Sequence, residues 1–127
     1  NIMKQTIATT KAPAAVGPYS QAVLINGTLY ISCQLAIDPT CGKFCGGSIA
    51  EQTDRIMGNI QNILQEAGFA MSDVVKVSVF LSDMKMFGDF NEAYKKYFQK
   101  AAPARTCIGA NELPLGALVG IDVTAAK

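Results

Sequence analysis

The stretch from Ser48 to Gly68 leaves this chain the least choice. Ser48-Ile49-Ala50-Glu51 has the form of a capping box, with the serine oxygen placed for an orphan amide and the glutamate placed to reach back. Behind it Ile49, Ile56, Met57, Ile60, Ile63, Leu64 and Ala67 recur at helical spacing and form one apolar stripe. Gly68 stands where a helix can stop in the left-handed conformation. Gly58 falls mid-helix at a cost of about 1 kcal/mol relative to alanine, and close packing on a sheet is the reason the pattern suggests. A helix with one apolar stripe must lie on something. The flanking sequence offers strands.

Residues 4–7 read as a short edge strand, and Lys11 to Tyr19, holding Pro13, Gly17 and Pro18, as an extended loop. Ala22 to Ile25 and Leu29 to Cys33 are apolar runs separated by Asn26-Gly27-Thr28, a strong hairpin signal. Residues 37–47 are turn-rich and read as a loop. Val74 to Leu81 is apolar on both alternations apart from Lys76 and Ser78, as in a strand covered on both faces. A second helix follows Ser82-Asp83, with Phe87, Phe90, Ala93, Tyr94, Tyr97 and Phe98 in a stripe. Strands at Arg105 to Gly109 and Leu118 to Thr124, joined by the loop Asn111 to Gly116, end the chain.

With right-handed crossovers both helices lie on one side of one sheet, in an α+β arrangement. The opposite face, carrying Phe80 and Leu118, then has no cover within the chain. Self-association is the simplest remedy, with a concave site between subunits as its by-product. Residues 1–127 make one domain by length, without internal repeats.

Charge and residue usage exclude several functions. The net charge is +1, so the electrostatic footprint of a nucleic-acid binder is missing; Lys95, Lys96 and Lys100 read as a solvated helix face. The chain has no histidine, which removes Ser-His-Asp and Cys-His schemes together with the commonest metal ligand. Cys41 and Cys45 lack a second closely spaced pair to complete a zinc site. Metal-free chemistry without a cofactor is therefore expected. The four cysteines are too sparse for a disulfide scaffold, and no signal pattern or membrane-length apolar run is seen, so a cytoplasmic protein with reduced thiols is expected. Met3 reads as the natural start, with Asn1 and Ile2 a remnant ahead of it.

The chemistry-bearing candidate is Pro103-Ala104-Arg105-Thr106-Cys107, where an arginine and a cysteine share one face of a strand. A guanidinium fork suits a carboxylate or phosphate. The plain alternative is a surface ion pair for Arg105 and a small core role for Cys107. Asn91 falls on the apolar stripe of the second helix, where it needs a hydrogen-bond partner, ordinarily backbone and otherwise a ligand. Tyr19, fixed by Gly17-Pro18, is either a packed rim residue or a site residue.

With these neighbours, the chain resembles the reactive intermediate deaminase family, also called RidA/YjgF and long labelled endoribonuclease L-PSP or translation inhibitor. The likeness rests on Ala14-Ala15-Val16-Gly17-Pro18-Tyr19-Ser20-Gln21-Ala22, Leu29-Tyr30-Ile31-Ser32-Cys33-Gln34, Phe90-Asn91-Glu92-Ala93-Tyr94, Pro103 to Cys107 and Leu113 to Val119. It implies a chorismate-mutase-like α+β fold, a six-stranded mixed sheet with two helices on one face, assembled as a homotrimer with sites between subunits. It also implies hydrolysis of 2-imino acids, such as 2-iminobutanoate and 2-iminopropanoate, to 2-oxo acids and ammonia. Arg105 would grip the substrate carboxylate, with Tyr19, Ser32, Asn91 and Cys107 lining the cleft. A cysteine without a basic partner is a poor nucleophile, so Cys107 is expected to line the cleft and form no covalent bond.

The chain departs from the family at two positions. Gly120 stands where the family has the glutamate that places the attacking water, and Cys33 follows Ser32 where a glycine is common. Asp122, on the same face, lies about 6–7 Å further along the strand, and Glu112 is another carboxylate in the preceding loop. A slow deaminase and a non-catalytic module binding small carboxylates are thus both compatible with the sequence. The ribonuclease label is weakened by the near-neutral charge and the missing histidine.

Overall fold

The computed structural model describes residues 3–127, so the reading of Asn1 and Ile2 lies outside the described residues. Eight strands and two helices follow one another as β1 (Gln5–Ile7), β2 (Ala22–Ile25), β3 (Thr28–Gln34), β4 (Ile37–Asp38), β5 (Lys43–Phe44), α1 (Ile49–Glu66), β6 (Val74–Leu81), α2 (Phe87–Tyr94), β7 (Ala104–Gly109) and β8 (Val119–Ala126). Six of the strands form one mixed sheet in the order β1-β2-β3-β8-β6-β7. Only β6 and β7 pair in parallel; β8 runs antiparallel to both β3 and β6 and separates them. The helices therefore serve as crossovers: α1 carries the chain from β3 past β8 to β6, and α2 carries it from β6 to β7.

The expected helix forms as its sequence demands. Ser48 accepts the Glu51 amide at 3.1 Å, and Glu51 accepts the Ser48 amide at 3.1 Å. Ile56, Met57, Ile60 and Ile63 are wholly buried, and Gly68 takes the left-handed conformation at φ 81°. Gly58 departs from expectation. A Cβ there would meet nothing within 4 Å, so close packing does not explain the glycine.

The core lies between one face of the sheet and the helices. Val77, Val79 and Leu81 of β6 alternate inward, as do Val119, Ile121, Val123 and Ala125 of β8. Their neighbours point to the opposite face, where Lys76, Ser78, Phe80, Asp122 and Thr124 remain partly accessible and Tyr30 and Ile108 are about half exposed. Within one chain, β6 is thus covered on one face only. No helix among the described residues is long and apolar enough to cross a membrane.

Three details differ from the sequence reading. The turn-rich segment contains the small β4–β5 ribbon. The second helix is α-helical only from Phe87 to Tyr94, flanked by 3-10 turns at Met84–Met86 and Lys95–Tyr97. Finally, β3 carries a bulge. Ile31 pairs with Val123 and Gln34 with Ile121, so three residues of β3 span two of β8.

Candidate functional site

Arg105 lies on β7, the outermost strand at one edge of the sheet, and its side chain turns toward α2. Its guanidinium carbon sits 5.0 Å from the ring centre of Tyr94, 5.6 Å from Phe87 and 5.9 Å from Phe90. Its Nη1 donates to Asn91 Oδ1 at 2.7 Å. Aromatic faces attract a cation, and the amide fixes the orientation of the fork. Among the described residues no carboxylate lies within ion-pair distance of Arg105. The surface ion pair is therefore not formed. Nor does Asn91 bind backbone: its partner is the arginine. A guanidinium has five N–H donors, and one is committed here.

Beside the guanidinium stand an uncharged thiol and an uncharged phenol. Cys107, half-buried beside the core, has its thiol pushed up by burial, with the Arg105 charge acting the other way. It is a poor thiolate donor at neutral pH. The Tyr94 hydroxyl is buried without a hydrogen-bond partner, and burial raises it to about 12 against the opposing pull of Arg105. Lys95 pairs with Glu92 and Lys96 with Asp54, which accounts for two of the lysines as a surface feature.

Tyr19 and Ser32 stand elsewhere. Tyr19 is about half exposed, and its hydroxyl accepts the Val16 amide at 3.4 Å. Ser32 donates to the Ser20 carbonyl at 2.6 Å, which ties β3 to the loop bearing Tyr19. Buried Gln21, which the sequence reading passed over, holds that loop from below. Its amide accepts from Thr9 and donates to the carbonyls of Thr9, Ala12 and Pro13. Glutamine just after a Gly-Pro loop is too common a pattern to have marked this role. A cavity of about 320 Å³ opens here, lined by Val16, Tyr19, Cys33, Leu35 and Leu115 among others.

Gly120 is buried on β8 opposite Phe80. A Cβ at this position would lie 2.9 Å from Cys33 Sγ and 3.2 Å from Leu35 Cδ2, so the space is already filled. The Cys33 thiol is raised to about 11, first by loss of hydration and second by the Asp122 carboxylate. Although the residue presents surface to solvent, the thiol is neutral at pH 7. Asp122 pairs with Ser78 across β6, one alternation beyond Gly120. Glu112 is exposed in the loop before β8.

The structure thus brings Arg105, Asn91 and Cys107 together and leaves Tyr19 and Ser32 apart from them. Three strand spacings separate β3 from β7, about 14 Å. These features define an α+β protein whose one chain carries two partial sites, a fixed cation at one sheet edge and an aromatic-lined hollow toward the other.

Residues 9–127 match the family model described as Endoribonuclease L-PSP, and the chain belongs to that family. It is 46% identical over 123 residues to a RutC family protein of Sulfurisphaera tokodaii, covering 97% of this chain and 98% of the relative. It is 44% identical over 127 residues to the 2-iminobutanoate/2-iminopropanoate deaminase of Mus musculus, covering 100% and 94%. The crystal structure of RidA from the Antarctic bacterium Psychrobacter superposes with a TM-score of 0.92 at 40% identity, covering 97% and 99%.

Proposed function

We propose that this protein hydrolyses 2-imino acids, 2-iminobutanoate and 2-iminopropanoate among them, to 2-oxo acids and ammonia. The observation that carries the reading is Arg105, a guanidinium oriented by Asn91 and three aromatic rings without a carboxylate of its own. The substrate carboxylate takes its free donors. A protonated imine is already electrophilic, so water adds to its carbon and ammonia leaves without metal or covalent intermediate. The protein supplies orientation and a restricted water supply. Cys107 forms a neutral wall. The name of the mouse relative supports this reaction class.

The site is proposed to close between copies of the chain in a chorismate-mutase-like homotrimer, with the Arg105 edge of one subunit facing the hollow lined by Tyr19 of the next, where Ser32 holds the loop that bears Tyr19. The partly apolar open face, with Tyr30, Phe80 and Ile108, supports burial against further copies. A second reading, a non-catalytic module for small carboxylates, is favoured by one observation: no carboxylate extends from position 120. Steady-state assay with 2-iminobutanoate generated in situ separates them. The wild type is expected to exceed the buffer rate and Arg105→Ala to fall to it. A wild-type rate equal to buffer would reject deamination and leave the binding module.

A further inference from the structure

We propose that Cys33, packed into the room left by Gly120, sets the size of the substrate side chain that the cleft accepts. The assignment rests on the deaminase reading above. Gly120 has no left-handed φ, so its backbone does not require glycine. A side chain there would meet the Cys33 sulfur and Leu35, which would have to shift to admit it. The bulge between Ile31 and Gln34 makes this contact. Simple alternation from Ile31 would put Cys33 on the helix side of the sheet; the extra residue instead brings its sulfur over β8 on the open face. There it reaches within 2.9 Å of where a Cβ of residue 120 would stand, with Leu35 Cδ2 at 3.2 Å closing the other side.

Cys33 and Leu35 also line the cavity that contains Tyr19 and Leu115. Leu115 holds a left-handed backbone at φ 62°, a strained conformation for a branched side chain, and is 62% exposed beside that cavity. The hollow is walled by a thiol, two leucines and an aromatic ring, with Gln21 and Gln34 among its polar lining, and no charged side chain lines it. Such a wall suits the apolar side chain of a 2-imino acid whose carboxylate is held elsewhere. Cys33 is the member of that wall that packs against the glycine. Removing its CH2–SH deepens the hollow by about one heavy-atom pair, and one methylene in such a pocket changes discrimination by roughly tenfold or more.

The test compares imino acids generated in situ from leucine and alanine. Cys33→Gly is expected to raise the ratio of kcat/KM for the leucine-derived over the alanine-derived substrate by about tenfold. Cys33→Leu is expected to lower it. Thermal melting of a packing cycle supplies a readout independent of turnover. Gly120→Ala should lower Tm by about 4 °C in the wild-type background and by clearly less in the Cys33→Gly background, where only Leu35 Cδ2 at 3.2 Å still crowds the new methyl. Turnover with a substrate ratio unmoved by both Cys33 variants would overturn the assignment alone, as would a Gly120→Ala penalty equal in the two backgrounds. Absence of turnover of either substrate by the wild type would overturn the deaminase reading and this assignment with it.

Discussion

The two partial sites are built in opposite ways. At the β7 edge a single chain completes its geometry: Asn91 fixes the Arg105 fork, three rings flank it, and Cys107 closes one side as a neutral thiol. At β3 and β8 the polar groups are spent on holding loops. Ser32 is committed to the Ser20 carbonyl and Gln21 to Thr9, Ala12 and Pro13, while the cavity itself is walled by Cys33, Leu35 and Leu115. The first edge presents a fixed charge, the second an uncharged hollow. The proposed reaction, on a small anion with an apolar side chain, needs both, and within one chain β3 and β7 lie about 14 Å apart.

The sharpest way to break that contrast is to supply the first edge with its own anion. Asn91→Asp places a carboxylate 2.7 Å from the guanidinium, where it should pair with Arg105 and exclude substrate. A loss of about 100-fold or more in kcat/KM is expected, against roughly tenfold for Asn91→Leu, which only frees the fork. If Asn91→Asp were no worse than Asn91→Leu, Arg105 would not be the anion site.

The second edge can be given charge instead. If the chain is a deaminase, its family resemblance suggests that Gly120→Glu should raise the rate. The packing adds a condition, because Cys33 Sγ and Leu35 already occupy the place of the new side chain. Alone, Gly120→Glu should destabilise the fold by about 1–3 kcal/mol, read by denaturant unfolding. Combined with Cys33→Gly, stability should recover in part, Leu35 still crowding the position, and the deaminase rate should rise. A double variant slower than Cys33→Gly would show that a carboxylate at position 120 does not help this chain.

A smaller effect tests the aromatic wall. The Tyr94 hydroxyl is buried and unpartnered, so Tyr94→Phe should be neutral or stabilise by about 1 kcal/mol at pH 7. The pH dependence has a definite sign. The folded state holds Tyr94 at about 12 against an ordinary value of 10.0, so the unfolded chain loses the proton first. The resulting stability is present below pH 10 and is lost as pH rises toward 12. Tyr97, pushed up by burial and by its bond to Asp54, adds to the same fall. The difference between wild type and Tyr94→Phe across this window isolates Tyr94, and parallel curves would refute its burial. Least of all, Gly58→Ala should stabilise by about 1 kcal/mol in thermal unfolding, since its Cβ meets open space. It should leave both edges untouched.

Much of this was legible in one dimension because it depends on neighbours in sequence. The capping box, the stripe from Ile49 to Leu64, the hairpin at Asn26-Gly27 and the inward alternation of β8 all formed as their local pattern required. Arg105 and Cys107 were placed on one face by strand period alone. The partners of Arg105 were not legible, because Asn91 and Tyr94 reach it from a helix through tertiary packing. The role of Gln21 stayed hidden for a similar reason, its bonds running to backbone 8 to 12 residues away.

The sequence by itself determined the elements, their one-sided apolar faces, the fork at Arg105 and the absence of a side chain at Gly120. Only the tertiary structure decided what those residues meet. It turned Arg105 from a candidate for a surface ion pair into a cation held by an amide and aromatic rings. It also filled the space at Gly120 with a thiol brought across by a bulge. Periodicity reports which way a side chain points, but contact depends on strand order, register and the extra residue of a bulge, which arise only when distant strands pair.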